Sequence, residues 1–327
     1  MTKAKLHDLQ SIDDVARVCG VERHLVADYA DSGNQKGYYR PLKLAKYGKR
    51  RKGEFRVVFP AIPAWLSGFH RSVSMIVVNS TTFGDHVQGF LKGRSTFKNA
   101  RQHLAADVLL HADIKNFFDA ITTQHVCHAF VTEGVVHPVA DFLARACTID
   151  GLLRQGTRCS PAIANLVCFP LDQALLRLAK SNDCVYTRYA DDITFSGKQV
   201  PADESVRQIL SAYGFELRDN KCFRQFKGRG QFVTGLTVVD KDAPRLPRAL
   251  KQRLRQTMYY IEKFGIAEHF NRVGAENVIR EVGWLGGMLQ YAASIEPELV
   301  RPWQEILSSA LQAGDWSSPD VTPDSYF

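Results

Sequence analysis

The chain has 327 residues, 45% hydrophobic and 23% charged, enough to bury a substantial core and to form two or three subdomains. Its formal net charge of +8 favours a polyanionic partner. Seven cysteines, scattered and without a C-x-x-C pair, argue against a disulfide framework or a zinc site, and no apolar run reaches the length of a membrane span.

In chain order, residues 11–30 read as two short helices. Ala16-x-x-x-Gly20-Val21 resembles the turn of a helix-turn-helix. The second helix offers Glu22, His24 and Asp28 where a phosphate reader needs cations, which favours a helical hairpin packed on a larger body. A basic stretch from Lys43 to Lys52 leads to Gly53, read as a hairpin tip, and then to the strand Phe55-Arg56-Val57-Val58-Phe59-Pro60. Arg56 lies inside that apolar strand, so an anionic partner is expected for it. Residues 63–78 carry Leu66, Phe69, Val73, Ile76 and Val77 at helical spacing. Next come a glycine-flanked basic turn, Gly89 to Ser95, and a strand, Val108 to Ala112, closed by Asp113.

Helical segments follow to about residue 148, and then a polar loop, Arg154-Gln155-Gly156-Thr157-Arg158-Cys159-Ser160-Pro161. Pro161 suits the first turn of one long apolar helix, Ala162 to Leu178. Two alternating segments around Tyr189-Ala190-Asp191-Asp192 predict a β-hairpin with the aspartates at its tip. A helix over 206–213 and a single strand over 231–239 are expected next. From Pro247 to Phe264, Leu250, Leu254, Met258 and Ile261 line one face of a helix with Arg248, Lys251 and Arg255 on its flank.

Adjacent carboxylates at a tight turn repel one another unless a cation faces them. With the strand-end Asp113, the pair Asp191 and Asp192 forms the donor set of a two-Mg²⁺ phosphoryl-transfer site, and the reading is a nucleic-acid polymerase. Asp113 and Asp191 are expected to bridge both ions, with Asp192 in support. Phe118, five residues beyond Asp113, would place a ring under the incoming sugar and exclude a ribose 2′-hydroxyl. Gln155 is a candidate contact to nucleotide or template, and Lys221 a candidate proton donor to pyrophosphate. Arg56 completes the candidate nucleotide-binding set, and the flank of the 247–264 helix suits a thumb following a duplex.

Together these segments resemble the reverse transcriptases, and among them the bacterial retron enzymes, over roughly residues 37–290. The resemblance rests on Arg56 to Pro60, Gly89-Phe90 with Gly93-Arg94-Ser95, Ala112 to Phe118, Gln155-Gly156 with Ser160-Pro161, Tyr189 to Asp192, and Lys221. Asn99-Ala100-x-x-His103 and Val233-Thr234-Gly235 point to the retron subgroup.

The resemblance implies an α+β right-hand polymerase with fingers, a palm whose antiparallel sheet carries the catalytic aspartates, and a helical thumb. The expected division is an N-terminal helical segment 1–36, fingers 37–106 and 121–158, palm 107–120 and 159–240, and thumb and C-terminal helices 241–327. It implies two Mg²⁺ on Asp113, Asp191 and Asp192, with the backbone carbonyl of Ile114 as a further ligand. It also implies deoxynucleotide substrates and a cognate structured non-coding RNA, in which a guanosine 2′-hydroxyl primes a branched, RNA-linked single-stranded DNA. Asn99, His103, Val233, Thr234, Gly235, Arg248, Lys251 and Arg255 are the expected RNA contacts. An effector protein from the same operon, a role in anti-phage defence and a bacterial cytoplasmic location without a membrane partner complete the expectation. The alternatives are an abortive-infection or group II intron type reverse transcriptase, and a non-catalytic nucleic-acid-binding regulator. One departure from the pattern stands out: Arg158 and Cys159 occupy positions where the Gln-Gly loop often carries proline and serine.

Overall fold

The computed structural model describes residues 4–32, 35–45 and 55–314. In chain order the elements are α1 (Ile12–Cys19), α2 (Arg23–Ala30), β1 (Leu42–Ala45), β2 (Phe55–Val58), α3 (Ala64–Ser80), α4 (Thr96–Arg101), β3 (Val108–Asp113), α5 (Thr123–Thr132) and α6 (His137–Cys147). They continue with α7 (Ser160–Val167), α8 (Phe169–Ser181), β4 (Val185–Tyr189), β5 (Asp192–Gly197), α9 (Asp203–Ala212), β6 (Phe223–Phe226), β7 (Phe232–Val233) and β8 (Leu236–Thr237). The helices α10 (Arg248–Phe264), α11 (Ile266–Arg272), α12 (Val278–Ala293) and α13 (Pro297–Gln312) close the described chain. Mixed helix and antiparallel sheet make this an α+β protein.

The chain divides into two compact units, one from the segments up to Ser95 together with Asp107–Phe226, the other from Thr96–Ala106 together with the segments from Lys227 onward. Residues 96–106 and 227–240, expected with fingers and palm, thus group with the C-terminal helices.

The first unit is organised by a four-stranded antiparallel sheet of order β4-β5-β3-β6. Alternation sends Leu110, Ala112, Ile193, Phe195 and Tyr186 into the core. The opposite register positions carry His111, Asp113 and Thr194. The hairpin α1–α2 packs Val15, Cys19, Val26 and Tyr29 into the same core, where Tyr29 and Tyr39 share a buried hydroxyl hydrogen bond of 2.5 Å. Its geometry follows from local signals. Ser11 accepts from the Asp14 N–H at the start of α1, and Gly20 ends it in the left-handed region at φ 67°. A helical hairpin serving as a wall of the body is therefore what residues 11–30 form.

Three expectations are corrected. The long apolar helix is broken at Cys168 into α7 and α8, bent by 51°; no single described helix is long and apolar enough to cross a membrane, and the bent pair buries Ile163, Leu166, Leu171 and Leu175 in the core. The single strand expected over 231–239 is a two-residue hairpin: Thr234 (φ 47°) and Gly235 (φ 82°) reverse the chain between β7 and β8. In the second unit, where this hairpin packs on α4, the Thr234 Oγ1 donates 2.9 Å to the Thr96 carbonyl and holds the turn. Third, β1 and β2 form an exposed ribbon, with Phe55 56% and Val57 40% exposed, so Arg56 reaches solvent without a buried partner. The basic hairpin tip Lys49–Lys52 with Gly53 lies outside the described residues.

Candidate active site

The acidic turn is assembled by register. β3 and β5 pair Asp113 with Asp192, and β4 and β5 pair Tyr189 with Asp192. Ala190 takes the left-handed conformation at φ 59° to close the turn, and the Asp191 carbonyl accepts from the Ile114 N–H at 3.0 Å. These contacts bring Asp191 beside Asp113. Burial and then the Asp113 charge raise the Asp191 pKa above the ordinary carboxylate value, while Lys221 and Arg218 pull the other way.

Asp113 is 2% exposed and faces two cations. Lys221 Nζ lies 2.5 Å from its Oδ2, and Arg218 Nε lies 3.1 Å from Oδ1. The Arg218 contact is out of line for a hydrogen bond, so Oδ1 is buried without one. Two hard carboxylates, one with an orphaned buried oxygen and both faced by cationic side chains, are a donor set suited to a divalent ion such as Mg²⁺. Asp192 is the exception among the three. Its side chain is exposed, and among the described residues no group of three or more His, Cys, Asp or Glu is arranged to hold a metal. Asp113 and Asp191 form the more buried part of the expected set, and Asp192, paired opposite Asp113, stands at its exposed edge. Ile114 is buried between the Asp191 carbonyl and a bridge to Leu217.

In front of Asp191 opens a cavity of about 680 Å³, lined by Arg56, Phe118, Gln155, Asp191 and Lys221 among others. The elements that meet there are held by close backbone approaches. The Phe59 N–H donates 2.8 Å to the Gln155 carbonyl, and Gly156, at φ 109°, lies so near β2 that an added Cβ would come within 2.4 Å of the Phe59 nitrogen. Phe118 is half-buried, edge-on to Phe117 at 5.2 Å and tilted against Phe90 at 5.9 Å, whereas Phe117 is a core residue.

Several residues not foreseen from the sequence build this site. Arg188 is fully buried on β4 and forks onto Asp172, Nε to Oδ1 at 2.7 Å and Nη2 to Oδ2 at 2.6 Å. Its Nη1 donates to Asn165 Oδ1 (3.2 Å) and to the Ala190 carbonyl (3.1 Å) inside the acidic turn. Burial works against the guanidinium charge, and the Asp172 carboxylate outweighs it, holding the Arg188 pKa above its ordinary value. Asn165 also donates 2.9 Å to the Gly89 carbonyl, and a Cβ on Gly89 would stand 2.4 Å from the Ala190 nitrogen. The signal was present: Arg188 lies two residues from the core residue Tyr186 on a strand and so shares its inward face, where an arginine demands a carboxylate. Arg154 was also unforeseen. It lines the cavity, pairs with Asp119 at 3.0 Å and lies over the Phe59 ring at 5.8 Å.

The remaining expected contacts lie in the second unit. Asn99, His103 and Val233 are each 1% exposed, so all three are interior residues that shape the α4–β7–β8 packing and offer no surface to RNA. Thr234 is half-buried and Gly235 exposed at the hairpin turn. Arg248 and Arg255 are exposed on α10, while Lys251 reaches Glu296 at 3.3 Å.

A sheet that sets two aspartates together at the edge of an open cavity defines the class: a nucleic-acid polymerase. The chain belongs to the reverse transcriptase (RNA-dependent DNA polymerase) family, whose model matches residues 49–260. It is 30% identical over 313 residues to the retron Mx65 reverse transcriptase of Myxococcus xanthus, covering 88% of this chain and 68% of that one. It is 31% identical over 250 residues to the retron Mx162 enzyme of the same organism (65% and 51% covered) and 31% identical over 177 residues to the retron Ec86 enzyme of Escherichia coli (53% and 55%). These relatives place it with the bacterial retron reverse transcriptases. Membership brings the right-hand polymerase fold, RNA-directed DNA polymerase activity and a dependence on divalent metal.

Proposed function

We propose that this chain copies a cognate structured non-coding RNA into DNA, starting from a 2′-hydroxyl of that RNA, by two-Mg²⁺ phosphoryl transfer at Asp113 and Asp191. The observation that carries the reading is the convergence of those two carboxylates beside the cavity that also receives Arg56, Phe118, Gln155 and Lys221. The product is a branched, RNA-linked single-stranded DNA, and an effector protein from the same operon acts with it in anti-phage defence. The retron relatives support this reading. Primer extension on an RNA template with Mg²⁺ and deoxynucleotides, together with recovery of DNA covalently joined to RNA from the native locus, tests it; extension without any branched product would remove the retron-specific part.

Two magnesium ions, when bound, supply activation of the attacking hydroxyl and stabilisation of the leaving pyrophosphate. The side chains supply the rest. Asp113 and Asp191 would hold the ions, with Asp192 and the Ile114 carbonyl at the margin of that set. Lys221, within reach of the same carboxylate, serves as proton donor to pyrophosphate. Arg56, with Arg154 beside it, meets the triphosphate charge, and Gln155 positions the nucleotide through the loop docked on β2.

Phe118 presents its ring to the cavity where the sugar would lie. Phe118→Ala should raise ribonucleotide incorporation relative to deoxynucleotide, read as the ratio of the two kcat/KM values. A ratio equal to wild type would remove Phe118 from sugar selection.

Arg248, Lys251 and Arg255 occupy one side of α10 and are assigned to the RNA or hybrid backbone, with Thr234 and Gly235 at the hairpin turn of the same unit. Replacing the three cations together should weaken RNA binding and flatten its salt dependence by roughly 0.7–0.9 in log-log slope for every phosphate that is no longer neutralised. Lys251 also bonds Glu296, so a change worth two phosphates rather than three is expected. An unaltered slope would turn this face away from RNA.

A further inference from the structure

Helix α10 carries a second solvent-facing side that duplex tracking does not use. At about 100° per residue, Leu254, Met258 and Ile261 mark its buried side and Arg248, Lys251 and Arg255 its basic side. Arg253 and Phe264 fall on a third side, roughly 170° around the helix from the basic one, and Tyr260 stands at its border, also lining the hollow beside Arg248, Lys251 and Arg255. That third side walls a cavity of about 810 Å³ that α11 and α12 complete with His269, Arg272 and Trp284.

The lining chemistry is planar rings and guanidinium groups. Arg253 lies over the Trp284 ring at 4.6 Å from its centroid, and Arg272 over Phe264 at 4.7 Å. Tyr260 stacks nearly parallel to His269 (9°, 6.0 Å) and to Phe264 (18°, 6.1 Å), yet remains 38% exposed. Arg272 is paired with Glu268. Arg253, by contrast, is in no ion pair among the described residues and lies against the indole face, in a cavity that Glu276 and Glu281 also line. A part-exposed ring beside a guanidinium outside any ion pair suits an unpaired nucleotide: the base stacks and the phosphate meets the cation. A paired stem cannot offer its bases this way, because they are already stacked within the helix.

We propose that the α10–α11–α12 cavity is a binding site for unpaired nucleotides of a single strand, adjoining the basic side of α10, with Tyr260 as the stacking ring and Arg253, held against Trp284, as the phosphate contact. The ligand class is the one a polymerase handles wherever a strand leaves a duplex, so the inference rests on the polymerase reading for its biological setting. The binding itself depends only on the cavity.

The test uses the full chain with three probes: a twelve-nucleotide oligoadenylate RNA, its DNA counterpart and a blunt RNA–DNA hybrid. The variants Arg253→Gln and Tyr260→Leu alter exposed side chains and leave the buried side of α10 intact. Each should weaken binding of single strands about tenfold, the size of one lost base stack, while hybrid binding and extension of a pre-annealed primer stay within about twofold. Quenching of tryptophan fluorescence by the oligoadenylate should fall with the affinity. If both single strands weaken, the site reads the base and phosphate alone; if only the RNA weakens, it also senses the 2′-hydroxyl. Unchanged single-strand affinity would overturn the proposal and leave the cavity to a protein partner, and equal loss for the hybrid would overturn it by reducing the effect to general charge. Absence of primer extension in the unmodified chain would instead sink the polymerase reading, with the single-strand result standing on its own.

Discussion

Asp191→Asn should abolish primer extension, with a loss of at least about a thousandfold in kcat, while leaving the thermal midpoint of the metal-free protein unchanged or raised. The first half follows from removing one of the two carboxylates that would hold the ions, since developing charge at the reacting phosphate then lacks its main electrostatic partner. The second half follows from the pKa direction. Burial and the neighbouring Asp113 both disfavour the Asp191 anion, so the neutral amide relieves a repulsion that the folded chain sustains when no metal is bound. A structural aspartate would behave oppositely, because its loss lowers the midpoint. Mg²⁺ should raise the midpoint of the wild type through binding to the native state and do so much less for the variant. Scanning calorimetry with and without Mg²⁺ checks this independently of turnover. A variant that unfolds at lower temperature and keeps its activity would remove Asp191 from the metal site.

The second large effect is expected at Arg188. Its guanidinium spans Asp172, Asn165 and the Ala190 carbonyl, with both members of the ion pair fully buried. Arg188→Met leaves Asp172 buried, with the Tyr186 hydroxyl, 2.7 Å away, as its remaining hydrogen-bond donor among the described residues. Breaking one side of a buried pair costs about 3–5 kcal/mol, a large share of the ~5–15 kcal/mol that stabilises a typical domain. The double replacement Arg188→Met with Asp172→Leu removes the uncompensated charge and should recover much of that stability. Activity should stay low in the double variant, because the Ala190 carbonyl has lost its support and the acidic turn is no longer held. Denaturant unfolding gives the first quantity and primer extension the second. If the double variant regains both, Arg188 serves packing alone.

Much of the site was legible in the order of the residues, for local reasons. Two adjacent aspartates between alternating segments read as a turn, and β4 and β5 form the hairpin that carries it. Ser11, Gly20 and Pro161 mark helix ends through capping and backbone preferences that involve only a few neighbouring residues. The readings that failed depended on which face met what. The burial expected of Arg56 from its apolar neighbours is absent, because Phe55 and Val57 are exposed on a two-stranded ribbon, and Arg56 faces the cavity beside Asp191 instead. The same rule applied to Arg188 is correct, because that strand lies against a helix carrying Asp172. Residues 231–239 have the composition of one strand, but the left-handed turn at Thr234 and Gly235 needs the Thr96 carbonyl, 138 residues away, to hold it.

From the succession and chemistry of its residues alone, this chain specified its polymerase character, the Asp113 and Asp191 pair, and the amphipathic helix with a cationic flank. Those features are encoded in short-range periodicity and in the electrostatics of neighbouring groups. Only the tertiary structure decided that Asp192 stands at the exposed edge beside the more buried Asp113 and Asp191, that Asn99 and His103 are interior, that Arg188 anchors the acidic turn through Asp172, and that the solvent-facing surface of α10 changes chemistry around the helix. Each of these turns on burial and on contacts between distant segments, which are properties of the packed chain and of no local stretch of it.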